Sequence, residues 1–204
     1  MTARLLLLAC LFAVSTVAAA SQTELSGREG HDRASLPLAT YTESFGEAAL
    51  DAAVLRALDD WNALFLDTLG VAAFVRVEGR AVAKVVVSVG SPSASGLMGY
   101  TEVQASLAGV IEVPVRVVVI EPAPRGQTSR ETLLYQVVAH ELGHALGLPH
   151  VADPRSIMCC APGGVDLGDA AVREAYVQAR RRPDLGSARA QLAAHYERFW
   201  TKRP

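Results

Sequence analysis

The chain has almost no net charge. Its 19 lysines and arginines against 21 aspartates and glutamates leave −2 over 204 residues, so it lacks the basic patch or stripe that binds nucleic acid. Long apolar runs are also scarce. The one candidate stands at the start, where Met1-Thr2-Ala3-Arg4 leads into Leu5 to Val17 and then Ala18-Ala19-Ala20. It is shorter than the roughly 20 residues that span a bilayer. A basic start, an apolar middle and a small-residue end instead read as a signal peptide over 1–20, cut after Ala20. The expected product is soluble, has no transmembrane segment, and is secreted to a periplasmic or extracellular location. Cysteine is nearly missing, with three residues in all. Cys10 lies inside the signal, and too few apolar residues precede Leu7-Leu8-Ala9 for a normal lipoprotein signal core, so lipid anchoring through Cys10 is the minor alternative. Cys159 and Cys160 are adjacent, which leaves a vicinal disulfide, two free thiols, or bridges to other chains all open.

Half of the residues are hydrophobic, enough at this length for one closed core. Residues 21–36 are polar and without period, and are expected as a flexible arm or short pro-segment. From Glu47 to Leu69 the residues Leu50, Val54, Leu58, Trp61, Phe65 and Leu69 recur at helical spacing, with Gly70 as the stop. The β-branched runs Val71 to Val77, Ala83 to Val89 and Val115 to Ile120 predict strands, and Gly90 to Gly99 a loop. Pro114 cannot donate to a ladder, so Gly109 to Val113 is expected as a sheet edge or bulge, and a free edge can accept an extended peptide. Later, Asp166 to Arg180 and Gly186 to Trp200 predict two more helices. The basic excess after Ala171 is expected to be a solvated helix face rather than a surface for an anionic partner.

The most informative stretch is His140 to His150, HELGHALGLPH. A helix beginning near Thr128, capped by its hydroxyl with Glu131 in a capping box, would pack through Leu133, Leu134, Val137, Val138 and Leu142. Residues four apart share a face about 6 Å apart, so His140 and His144 can bind one ion. Glu141 is offset, too far round to coordinate but placed to hold a water as general base. Gly147 permits a left-handed turn that folds the chain back and brings in His150. Three imidazoles leave one corner of a zinc tetrahedron open, the mark of a catalytic rather than a structural site.

With Ser156-Ile157-Met158 following, the sequence resembles the metzincin clan of zinc metallopeptidases, marked by HExxHxxGxxH and a methionine turn. Within that clan it is most similar to the matrixins. The resemblance implies an α+β metzincin (zincin) catalytic domain over 37–180: a twisted, mostly parallel sheet with two long helices and a C-terminal helical subdomain, followed by a helical extension over 181–204. It implies Met158 as an apolar base beneath the histidines. It also implies a sheet edge above the zinc that aligns the substrate backbone, assigned here to Val110, Ile111, Glu112 and Val113. The expected activity is that of a secreted zinc-dependent endopeptidase, a monomer acting on protein or peptide substrates through a zinc-bound water, with Glu141 as base. The alternative is a non-catalytic zinc-binding or adhesion domain on the same scaffold.

Several departures from the family limit the transfer. Only His31 and His195 remain outside the motif, too few for a second three-histidine zinc site, so one catalytic zinc is expected. Gly90 to Tyr100 lacks clustered aspartates, which leaves calcium open. Cys160 stands where some metzincins place a tyrosine. The arm is too short and has no cysteine to cap the zinc, so no cysteine-switch latency is expected.

Overall fold

The computed structural model describes residues 25–201 apart from 92–96, 124–127 and 162. The signal segment 1–20, Cys10 and part of the expected 90–99 loop therefore lie outside the described residues. Five strands form one sheet in the order β2-β1-β3-β5-β4: β1 (Leu38–Thr42), β2 (Phe74–Arg76), β3 (Val85–Gly90), β4 (Gly99–Glu102) and β5 (Val115–Ile120). All neighbours are parallel except β4, which runs antiparallel to β5. The valine runs of β3 and β5 are almost continuously buried, as expected for parallel strands covered on both faces. The expected α+β architecture with a mostly parallel sheet is present.

Helix α1 (Ala48–Leu69) follows the predicted period, burying Leu50, Val54, Leu58, Trp61 and Phe65, and it stops at Gly70 in the left-handed region. Helix α2 (Arg130–Ala145) carries the histidines. It is tied to α1 beside the site by the Trp61 indole, which donates to the Ala139 carbonyl at 2.9 Å. The N-cap is Ser129 rather than Thr128: its hydroxyl accepts from the Thr132 backbone N–H. Thr128 is held in a β-bridge instead, and Glu131 falls one place too early to close a capping box with Ser129.

The two later helices are shorter than expected. Helix α3 (Ala170–Arg181) starts at Asp169, whose carboxylate accepts from Ala171 and Val172, because Asp166 is used in a preceding turn. None of its residues is buried. Helix α4 (Arg189–Thr201) buries Leu192, Tyr196 and Phe199, and these join the same core as α1 and the sheet. The described part of 181–204 thus packs into the common core through Leu185, Ala188, Leu192, Tyr196 and Phe199.

Two expectations are corrected. The described part of the arm, 25–36, is docked rather than loose. Gly30 donates to the Gly109 carbonyl at 3.0 Å and accepts from Ile111 at 2.9 Å, and Trp200 donates to the His31 carbonyl at 3.0 Å. That docking also overturns the edge assigned to Val110, Ile111, Glu112 and Val113. Val110 bridges to Gly30, Ile111 bridges to Ala105, and Glu112 donates to the Gln104 carbonyl, so this stretch is flanked on both sides within a hairpin. The outer strands of the sheet are β2 and β4, and β4 is the one packed against α2.

Candidate active site

Helix α2 ends in a hydrogen-bonded reversal. Gly147 N–H donates to the His144 carbonyl at 2.9 Å and Leu148 N–H to the Gly143 carbonyl at 3.0 Å, the two bonds of a Schellman turn. Gly147 has φ +87°, open to glycine at little cost and strained for any other residue. The reversal carries Pro149 and His150 back alongside the helix, so residues ten apart in sequence meet in space.

The three histidines converge through Nε2. The separations are 3.0 Å for His144 to His140, 3.1 Å for His140 to His150 and 3.2 Å for His144 to His150. Among the described residues these three form the only group of His, Cys, Asp or Glu that could hold a metal ion. The opposite ring nitrogens are committed: His140 Nδ1 donates to the Ile157 carbonyl at 2.7 Å and His144 Nδ1 to the Leu148 carbonyl at 2.8 Å. Carbonyls only accept, so this tautomer turns the Nε2 lone pairs of His140 and His144 toward each other and toward His150. Lone pairs so placed repel without a cation between them. A tetrahedral zinc with nitrogens at 2.0 to 2.1 Å sets them about 3.3 Å apart, close to the triangle present. The residues fit zinc.

Burial and the neighbouring histidines depress the histidine pKa values, offset in part by the two carbonyl bonds. His144 falls to about 4 and His140 lies well below the ordinary value. Neutral imidazoles are the form that binds a metal. Glu141 is 3 % exposed, and burial pushes its carboxyl up to about 7 against the opposing hydrogen bond from Thr101. That hydroxyl lies 2.7 Å from Glu141 Oε2 and 2.9 Å from the Glu141 carbonyl. Thr101, on β4, escaped the sequence analysis because a four-residue strand beginning with glycine has almost no periodic signal.

Met158 is fully buried. A Cβ at Gly143 would lie 2.3 Å from its Sδ and 3.1 Å from the Trp61 ring, so the thioether occupies the space that glycine leaves on α2, one residue from His144. Ser156 shapes the turn, with its hydroxyl accepting from Met158 N–H at 3.1 Å. Cys159 and Cys160 lie with their sulfur atoms against each other, and the Arg180 guanidinium donates to the Cys159 carbonyl at 2.7 Å.

The remaining histidines lie behind the site. His31 and His195 are each 2 % exposed, and His31 Nε2 donates to the Ala145 carbonyl at 2.9 Å. Burial lowers both pKa values, His195 to about 4, while the Glu29 backbone offsets only part of the His195 shift. A histidine depressed in the folded state contributes stability that is complete above the unfolded value and is lost as pH falls through the folded one. Between pH 6.5 and 4, His195 alone is expected to cost on the order of 3 kcal/mol. Melting temperatures measured across that range should fall steeply for the parent and less for His195→Leu. Parallel curves would remove His195 as the cause.

A family model described as matrixin matches residues 30–164, from the arm residue paired with the 105–111 hairpin to the loop beyond the methionine turn. No curated protein matches the chain at a significant level.

Proposed function

The chain belongs to the matrixin family of zinc-dependent peptidases, and from that premise we propose that it is an exported endopeptidase hydrolysing peptide bonds in protein substrates with Glu141 as general base. The observation that carries this is the Nε2 triangle of His140, His144 and His150 with a buried carboxylate on the adjoining helical position.

The three histidines would hold one zinc. Bound there, the ion supplies Lewis-acid polarisation of the scissile carbonyl and acidifies the attacking water. Glu141 accepts the water proton at its carboxylate and returns it to the leaving nitrogen, so no covalent intermediate forms on the protein. The substrate-aligning role first assigned to Val110, Ile111, Glu112 and Val113 passes to β4. This strand lies at the sheet's edge beside Glu141 and can add an extended peptide through its outer backbone groups. No helix among the described residues is long and apolar enough to cross a membrane.

The test is zinc content and casein cleavage by the purified mature chain before and after chelation. About one zinc per chain is expected, the count for a single catalytic site, with activity lost on chelation and restored by added zinc. A zinc-loaded chain that cleaves neither casein nor a broad peptide library would favour a zinc-binding or adhesion domain.

A further inference from the structure

Thr101 is 2 % exposed, and its hydroxyl stands between two oxygens of one residue, Glu141 Oε2 at 2.7 Å and the Glu141 carbonyl at 2.9 Å. Those bonds define both the position of the carboxylate and its direction from the helix backbone. Strand β4 reaches this distance because Gly99 has no side chain. A Cβ there would lie 3.2 Å from Glu141 Cγ, 2.8 Å from Val137 Cγ1 and 3.1 Å from the Val118 carbonyl. The alternation of β4, buried at Gly99 and Thr101 and more open at Tyr100 and Glu102, turns the threonine toward α2.

We infer that Thr101 is a positioning residue for hydrolysis, holding the Glu141 carboxylate from the same strand that receives the peptide. The inference rests on Glu141 being the base. One hydroxyl serves both halves of the proton cycle: it donates to the carboxylate before transfer, and it can accept from the carboxyl and donate to the Glu141 carbonyl after it. The heavy atoms need not move between the two arrangements. Base and substrate are thereby referenced to one element, so a shift of β4 carries both together and the distance between them is kept. A carboxylate without this anchor samples other rotamers, and misplacement by about 1 Å is enough to cost a large factor in rate.

The test is steady-state kinetics of zinc-loaded Thr101→Val, Thr101→Ser and Glu141→Gln, plus the double variant Thr101→Val with Glu141→Gln, on one cleavable peptide. Thr101→Val is expected to lower kcat by about 10- to 100-fold, the range for losing a hydrogen bond to a charged group. KM, zinc content and melting temperature should stay near those of the parent. Thr101→Ser should recover most of kcat, and the valine should cost nothing further once Glu141 is glutamine. Parental kcat in Thr101→Val, or an equal loss with and without Glu141, would overturn the proposal. If the valine variant loses zinc or its fold, Thr101→Ala removes the same hydroxyl with less bulk and is judged by the same criteria. Parental activity in Glu141→Gln would overturn the base assignment itself and this inference with it. A dead Glu141→Gln beside an unaffected Thr101→Val would overturn the inference alone.

Discussion

Glu141→Gln should lower kcat by about 10²- to 10⁴-fold, the contribution of a positioned general base, with zinc still bound at the parental level. The two side chains match in shape, and the amide oxygen can still accept from Thr101 at the site of the present 2.7 Å bond. An amide cannot take the water proton at working pH. Zinc should be unaffected because the group able to hold it, His140, His144 and His150, does not include Glu141. A second readout has a sign that loss of a structural residue would not produce. Burial raises the Glu141 pKa to about 7, so the folded state resists its ionisation, and stability is lost as pH rises from the unfolded carboxyl value to the folded one. In the metal-free chains at pH 8, the glutamine variant should therefore be the more stable, by on the order of 3 kcal/mol. Zinc measured by absorption, kcat on a peptide, and melting of the metal-free chains check the three parts. A variant as active as the parent would remove Glu141 from the chemistry.

Gly147→Ala should be the most damaging single methyl in the site. The position has φ +87°, and an added Cβ would sit 2.3 Å from the Glu29 carbonyl oxygen and 2.9 Å from its carbon. The left-handed backbone costs about 1 to 2 kcal/mol for a residue with a Cβ, and overpacking adds about 1 to 3. The clash is with backbone and cannot be relieved by a rotamer. Nor can the arm easily retreat, since Gly30 is bonded to both Gly109 and Ile111. The turn must open instead, and it is the turn that brings His150 to the other two ligands. About 3 kcal/mol of stability should go, equivalent to roughly 6 to 12 °C in a domain of this size. Competition with a zinc chelator should show weaker binding as well. Unchanged melting and unchanged zinc affinity would mean that the arm yields without cost.

The metal site was legible because its chemistry is local. The three histidines, Glu141 and the turning glycine lie within residues 140–150, and helical period plus one left-handed glycine suffice to bring them together. Helix α1 was legible for the same reason, with its apolar residues at one period over six turns. What failed were features decided by partners far along the chain. Nothing in Val110 to Val113 signals that Gly30 will lie beside it, so a stretch next to Pro114 looked like an open edge. The arm has no periodicity, and its order comes from backbone bonds to a hairpin some eighty residues later. Thr101 is an unremarkable threonine until β4 crosses α2. The cap moved from Thr128 to Ser129 because both residue types cap helices, and only the path of the preceding chain decides between them.

The support of the site has a consequence in time. The ligands are neighbours in sequence, yet the Trp200 indole and the His31 carbonyl that fasten α4 to the arm are separated by 169 residues. The hydroxyl of Tyr196, bonded to the Leu146 carbonyl at the end of α2, closes a gap of 50. Closures over such spans form slowly and late, since the entropy of the intervening chain must be overcome before any contact rewards it. A growing polypeptide therefore presents the histidine motif well before it possesses the bracing that holds His150 in register. The braced histidine site arrives with the finished fold and not with the motif.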